Sequence, residues 1–154
     1  MKRQRITVGS IVRINLPCNK YAYARILKNA NYAIYDLITE NEFEDINEII
    51  SKNILFIIAV YDKAVTSGRW LKIGNAALET TLDTLPMKFI QDPIDSSQFR
   101  LYDPNTGNMI KAQREDCIDL EKAAVWEGEQ VEERICDHYA GKPNRWVEQM
   151  RMKI

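Results

Sequence analysis

Apolar and polar positions alternate along the N-terminal third of the chain, and this alternation predicts β-strands. Apolar residues occupy every second position over 12–16, which is the period-two pattern of a half-buried strand. Two further strand-like runs, 21–27 and 32–37, each follow a short segment rich in turn-forming residues. Three strands at this spacing predict a curved antiparallel sheet or a small barrel.

The middle of the chain predicts more strands and one short helix. Ile46, Ile49 and Ile50 fall on one helical face and predict a helix over 45–52. The run 54–61 is apolar on both faces and rich in β-branched residues, which is typical of a central strand covered on both sides. The other predicted strands are 70–73, a hairpin that pairs 87–91 with 98–102, and 109–112.

The C-terminal part of the chain has helical periodicity. Apolar positions at helical spacing predict helices over 113–124 and 129–139, followed by a last helix over 145–152. Gly141 and Pro143 mark the end of the second of these helices. Because strands come first and helices last, the sequence predicts an α+β fold with C-terminal helices packed on an N-terminal sheet.

Length and composition indicate one ordinary globular domain. The 154 residues predict a single domain over 1–154, and 45% hydrophobic with 28% charged residues argues against disorder. The longest apolar run, 54–61, is far shorter than the ~20 residues of a membrane helix. The basic N-terminus is not followed by a continuous apolar segment, so we expect no signal peptide and a cytoplasmic protein.

The three cysteines, Cys18, Cys117 and Cys136, are widely spaced and odd in number. A disulfide scaffold of a small secreted protein would have an even number at close spacing. The sequence therefore predicts three reduced thiols, packed or partly exposed.

Charge is unevenly distributed, although the net charge is only −1. No Lys or Arg occurs over 29–51, and a second acidic stretch over 115–133 has Lys122 as its one base. The two ends of the chain are basic. Segregation of this kind can steer a charged partner, whereas the simpler interpretation is a solvated face.

Candidate catalytic groups are few. His138 has no second histidine at helical spacing, and Cys136 lies two residues away on a different helix face, so we predict no metal site and no cofactor. The six glycines form no phosphate-binding loop. An enzyme using His138 with one of the cysteines stays open as the less favoured alternative, because such partners meet in space and not in sequence.

A nucleic-acid-binding small barrel is the other alternative. Tyr21 and Tyr23 could stack on bases beside Arg25. However, a sequence pI near 5.9 argues against a nucleic-acid partner, because such proteins usually have a clustered basic footprint. Among the tryptophans, Trp70 is predicted to lie in the core, whereas Trp126 and Trp146 could be core residues or interface anchors.

A set of short strings, in this order along the chain, resembles the immunity protein 26 family of bacterial toxin systems. The strings are 21–27 (YAYARIL), 35–37 (YDL), 59–62 (AVYD) with 67–70 (SGRW), 89–93 (FIQDP) with 101–103 (LYD), 114–117 (REDC) running into 120–126 (LEKAAVW), and 131–135 (VEERI) with 137–141 (DHYAG).

The resemblance implies a cytoplasmic antidote without catalytic activity. Members of the family are encoded beside polymorphic or contact-delivered toxins, and each binds its own toxin, so the resemblance implies the C-terminal domain of a cognate toxin as partner. Many such toxins are nucleases with basic clefts, which an acidic face could fill. The hypothesis assigns this face to Glu40, Glu42, Glu44, Asp45 and Glu48, with a second candidate face formed by Glu127, Glu129, Glu132 and Glu133.

Overall fold

The computed structural model describes residues 2–153 and has an α+β fold built on two sheets, which confirms the predicted class. The strands are β1 (Ser10–Asn15), β2 (Tyr21–Ile26), β3 (Asn31–Thr39), β4 (Ile54–Val60), β5 (Trp70–Asn75), β6 (Lys88–Gln91), β7 (Phe99–Tyr102), β8 (Met109–Ala112) and β9 (Val125–Trp126). The helices are α1 (Ile46–Ile50), α2 (Lys63–Thr66), α3 (Thr80–Asp83), α4 (Gly128–Ala140) and α5 (Arg145–Gln149). None of these helices is both long enough and apolar enough to cross a membrane.

The larger sheet is open and has the strand order β5-β1-β2-β3-β4-β9. Strands β1 to β5 pair antiparallel with their neighbours, and the two-residue β9 joins the outer edge of β4 in parallel. Register shifts interrupt three of these ladders, and such bulges increase local twist. Of the two predicted alternatives, the curved sheet is confirmed, and within the described residues the strands do not close into a barrel.

The smaller sheet contains the predicted hairpin of β6 with β7, extended by β8. An extended segment over 121–126 joins the two sheets. Phe89 N donates to Glu121 O at 3.1 Å and Ala123 N donates to Phe89 O at 2.9 Å, and two residues later β9 pairs with β4. The two sheets are therefore connected by continuous backbone hydrogen bonding through this segment.

The prediction of a helix over 113–124 is wrong, because the end of this segment pairs with the two sheets. The structure has a 3-10 turn at Arg114–Cys117, with Gln113 and Asp116 capping each other, and the chain then becomes extended. Pairing with β6 and with β4 requires an extended backbone, and these distant hydrogen bonds override the local helix propensity.

The hydrophobic core lies on both faces of the larger sheet. Helix α4 places Val131 and Ile135 against one face, next to the buried Trp70 and Trp126, and Trp146 of α5 packs partly buried at its margin. The core placement predicted for Trp70 is confirmed. On the other face α1 packs against a second cluster, described below. Strand β4 contributes side chains to clusters on both faces, although only Ile58 and Val60 are fully buried.

The other two predicted C-terminal helices are confirmed, although α5 ends at Gln149 and not at residue 152. Helix α4 spans Gly128–Ala140, and Gly141 ends it in the left-handed conformation with φ of 68°, as the sequence predicts. Helix α5 begins after Asn144, whose side-chain oxygen accepts from the backbone N–H groups of Trp146 and Val147.

The prediction of three reduced thiols is wrong for two of them. A disulfide joins Cys18, in the β1–β2 turn, to Cys136 on α4, with Cα atoms 6.2 Å apart. The pairing could not be inferred from the sequence, because the fold brings together residues separated by 118 positions. Cys117 is the remaining free cysteine and is buried.

We expect reduction of this disulfide to lower the free energy of unfolding by about 2–4 kcal/mol, because a cross-link that closes a long loop restricts the unfolded chain. Urea denaturation with and without reductant measures the difference. The Cys18→Ser/Cys136→Ser variant is the control. Its free energy of unfolding should equal that of the reduced protein and should not change when reductant is added. Equal stability of the native protein in both conditions would contradict the expectation.

A fully buried arginine, Arg25 of β2, holds several distant segments together. Its Nε donates to Gly9 O at 2.8 Å, and Nη2 donates to the backbone oxygens of Ala76 and Ala77, both at 2.8 Å. Nη1 donates to Tyr35 Oη at 3.1 Å and forms an ion pair with Glu79 at 3.2 Å. The guanidinium thus joins the start of β1, the middle of β3 and the connection after β5.

We expect Arg25→Met to lower the free energy of unfolding by about 3–5 kcal/mol, the range found when one partner of a buried charged network is removed. Urea denaturation provides the measurement. Arg100→Met, at an exposed position of β7, is the matched control and should change stability by less than about 0.5 kcal/mol. Similar losses for the two variants would show that Arg25 has no special structural role.

Candidate partner-binding surface

The first predicted acidic face is a single loop, residues 40–48, which we call the acidic loop. It leaves the sheet at the end of β3 and continues into α1. All five predicted carboxylates of this face are exposed: Glu40, Glu42, Glu44, Asp45 and Glu48.

The acidic loop is anchored to the sheet through Tyr23. Its hydroxyl oxygen accepts from Phe43 N at 3.0 Å and lies 2.8 Å from Thr39 Oγ1, while the Phe43 ring meets the Tyr23 ring edge to face at 6.4 Å. Thr39 Oγ1 in turn donates to Asn41 O at 2.7 Å. These contacts fix the direction in which the loop leaves the sheet.

Helix α1 fixes the other end of the acidic loop. Asp45 caps the helix by accepting from Glu48 N at 3.2 Å, and Ile49 is fully buried against Ile11, Tyr23 and Tyr35. An apolar anchor and a capping carboxylate therefore hold a segment whose other acids point into solvent.

Few bases balance the charge of this loop. Within the described residues, two bases lie within 4.0 Å of its carboxylates. Arg13 reaches Glu42 at 3.4 Å and Glu44 at 3.7 Å, and Lys52 reaches Glu48 at 3.8 Å. The Arg13 side chain is 9% exposed, but all three contacts are long, the three carboxylates are at least half exposed, and two bases face five acids, so the loop keeps a negative potential. Glu40 and Asp45 have no base within that distance among residues 2–153.

The second predicted face, the acids of α4, differs because each carboxylate has a basic partner. Lys63 lies 3.1 Å from Glu127, Arg69 lies 3.6 Å from Glu129, and Arg145 forms two hydrogen bonds with Glu133 at 3.0 and 3.1 Å. Charge on this surface is largely neutralised.

Glu132 is not a surface residue, and its expected place in a solvated face is wrong. It is 2% exposed, accepts two hydrogen bonds from Arg69 at 2.8 and 2.9 Å, and accepts from Trp70 Nε1 at 3.0 Å. Its partners lie more than sixty positions away in sequence, so the local run of acids could not reveal its role.

We expect Glu132→Gln to lower the free energy of unfolding by about 1–3 kcal/mol, because it weakens the hydrogen bonds of a buried charged group. Glu129→Gln is the matched control, since this exposed neighbour pairs with the same arginine at longer range and should cost less than about 1 kcal/mol. Thermal or urea unfolding followed by tryptophan fluorescence compares them. A larger loss for Glu129→Gln would contradict the assignment.

Each of the candidate catalytic residues has a different environment in the structure. His138 is exposed on α4 and meets the Tyr139 ring edge to face at 5.1 Å. Cys136 is bonded to Cys18. Burial raises the pKa of the Cys117 thiol, which disfavours the reactive thiolate. Among residues 2–153, no group of three His, Cys, Asp or Glu side chains is placed to hold a metal ion.

The residues proposed for base stacking are mostly in the interior. Tyr23 and Arg25 are fully buried, and Tyr21 is half-buried with the Arg13 guanidinium 5.5 Å from its ring centre. The structure therefore leaves the nucleic-acid alternative without its stacking platform.

The sequence analysis did not predict that Arg25 and Lys88 are the two most deeply buried cations, each at most 2% exposed. Each stands within an otherwise apolar or aromatic strand segment, YAYARI for β2 and KFIQ following PM for β6. A charged residue inside such a run indicates a buried ion with a specific partner, because a buried charge without a partner is costly.

These observations define an open-sheet α+β protein whose distinctive surface is a rigidly anchored, carboxylate-rich loop. The family model for immunity protein 26 matches residues 7–100, more than half of the chain, and the protein belongs to this family. The matched range includes β1 to β6, Arg25 and the acidic loop, whereas α4 and the strings over 114–141 lie outside it. No curated protein and no solved structure matches the chain.

Proposed function

We propose that this protein is the antidote of a bacterial toxin, which it binds and neutralises by covering the active site or an essential surface. Membership of the immunity protein 26 family is the observation that carries the proposal. Neutralisation by coverage needs a stable complementary surface and no catalytic group, and we propose that the protein acts without catalysis.

We further propose that the acidic loop is the contact surface and that the toxin presents a basic cleft, as a nuclease does. Two features support this. The loop carries five exposed carboxylates that are poorly balanced by bases, and Tyr23, Phe43 and Ile49 hold it in place before binding. Complementary charge accelerates association, and a preorganised loop loses little entropy on binding.

The proposed place of action is the cytoplasm of the producing cell, within a polymorphic or contact-dependent toxin system. Disulfides are rare in that compartment, so α4 should stay on the sheet even where the Cys18–Cys136 bond is reduced. Other contacts keep α4 on the sheet in that state, including the buried Val131 and the hydrogen bond from Tyr139 Oη to Asp36 at 2.7 Å.

We expect the variant Glu40→Lys/Glu44→Lys/Glu48→Lys to bind the toxin domain encoded beside this protein more than about tenfold more weakly than the native protein. These positions leave Asp45 as the cap of α1 and Glu42 as a partner of Arg13. Surface plasmon resonance at several salt concentrations measures the affinity, and protection from the toxin's activity is the functional readout.

The matched control reverses the charge of three exposed acids outside the loop, Asp83, Glu115 and Asp119. Its net charge therefore changes by the same amount as that of the loop variant. It should keep nearly native affinity. Equal loss of affinity in both variants would mean that overall charge, and not the acidic loop, causes the effect. Native affinity of the loop variant would contradict the placement of the contact surface.

A further inference from the structure

A cleft of about 340 Å³ lies where the two sheets meet. Its lining comes from the β2–β3 turn, the end of β4, strand β6, the end of β7, the start of β8 and residues 123–125. Most of the lining is apolar, including Ala59, Ile90 and Val125. We call it the inter-sheet cleft.

One buried cation lines this cleft. The Lys88 side chain starts from β6, the residue is 2% exposed, and Nζ donates to Asn31 Oδ1 at 2.9 Å. Asn31 is itself buried, and its Nδ2 donates to Asn29 O at 2.8 Å, which fixes the amide so that its oxygen faces the lysine. An ammonium group has three N–H donors, and this is its one hydrogen bond to the described residues.

Lys88 has no counter-ion within 4.0 Å among residues 2–153. Glu121 is the acid whose charge raises the pKa of Lys88, but it already accepts hydrogen bonds from Arg134 at 3.0 and 2.8 Å. Burial lowers the pKa of Lys88 to about 8. At pH 7 the amine is therefore still mostly protonated, and a buried cation without an anion is costly.

We propose that the inter-sheet cleft binds a small organic monocarboxylate. The carboxylate accepts from Lys88 Nζ, and the apolar body lies among the other lining residues, which include Ala59, Ile90, Val125, Tyr102 and Met109. One cation in an apolar setting matches a single negative charge. A doubly charged group such as a phosphate dianion would leave charge uncompensated away from water. This site is independent of the acidic loop and of toxin binding.

The test is an NMR titration of the ¹⁵N-labelled full-length protein with hexanoate and with 3-phenylpropionate, each compared with its neutral amide. We expect saturable shifts at 29–31, 59, 88–90 and 123–125, with the carboxylate binding about tenfold or more tightly than the amide. Lys88→Met, which keeps a long unbranched side chain but has no ammonium group, should remove this preference. Lys111→Met, at an exposed position on β8, should keep it.

The comparison of acid with amide uses the native protein, so it decides the question even if Lys88→Met does not fold. Equal binding of acid and amide, or shifts that map to other surfaces, would overturn the proposal. Absence of binding at millimolar concentration would do the same, and the cleft would then be a hydrated gap in which water solvates Lys88.

Discussion

The buried guanidinium of Arg25 is the interaction on which the rest of this structure depends. Its N–H groups are directed at three backbone oxygens in two separate segments, at a tyrosine hydroxyl and at a carboxylate, and all of these partners lie within the family-matched residues 7–100. A lysine could not make this fan of hydrogen bonds, because only the planar guanidinium presents donors in several fixed directions. By joining the start of β1, the middle of β3 and the chain after β5, Arg25 holds the strands that carry Tyr23 and, through it, the acidic loop.

The two groups of acids show that charge composition and charge availability are different properties. On the sequence, the run over 40–48 and the run over 127–133 look alike. In the fold, the acids of α4 meet Lys63, Arg69 and Arg145, and Glu132 becomes part of the core beside Trp70. The acidic loop keeps most of its charge unbalanced because the elements that pack against it present mainly Tyr23, Tyr35 and other apolar or aromatic groups. A surface suited to a basic partner therefore arises where the neighbouring strands supply few cations.

Features that depend on local pattern could be predicted, and features that depend on distant partners could not. The alternation in β1, the isoleucine spacing in α1 and the glycine after α4 each encode a local element, and the structure confirms these elements. The prediction that β1 is half-buried is wrong, because Arg13 on its polar face is also buried. The segment over 113–124 has good helix formers, but its conformation is set by pairing with Phe89 and then with β4. The roles of Cys18, Lys88 and Glu132 likewise follow from partners more than fifty residues away. The proposed function comes from the family resemblance because no local motif carries it, and the acidic loop could be proposed from the sequence because the fold brings only two bases, Arg13 and Lys52, to its five acids.

The most direct measurement is hydrogen–deuterium exchange of the protein, alone and mixed with the C-terminal domain of the proposed cognate toxin. We expect a stable complex in which amide exchange slows over 40–50 and along the adjoining end of β3, while exchange in α4 stays unchanged. Failure of the two proteins to form a complex would contradict the antidote role itself. Protection confined to α4 or to another surface would keep that role and contradict the acidic loop as the part of the protein that covers the toxin.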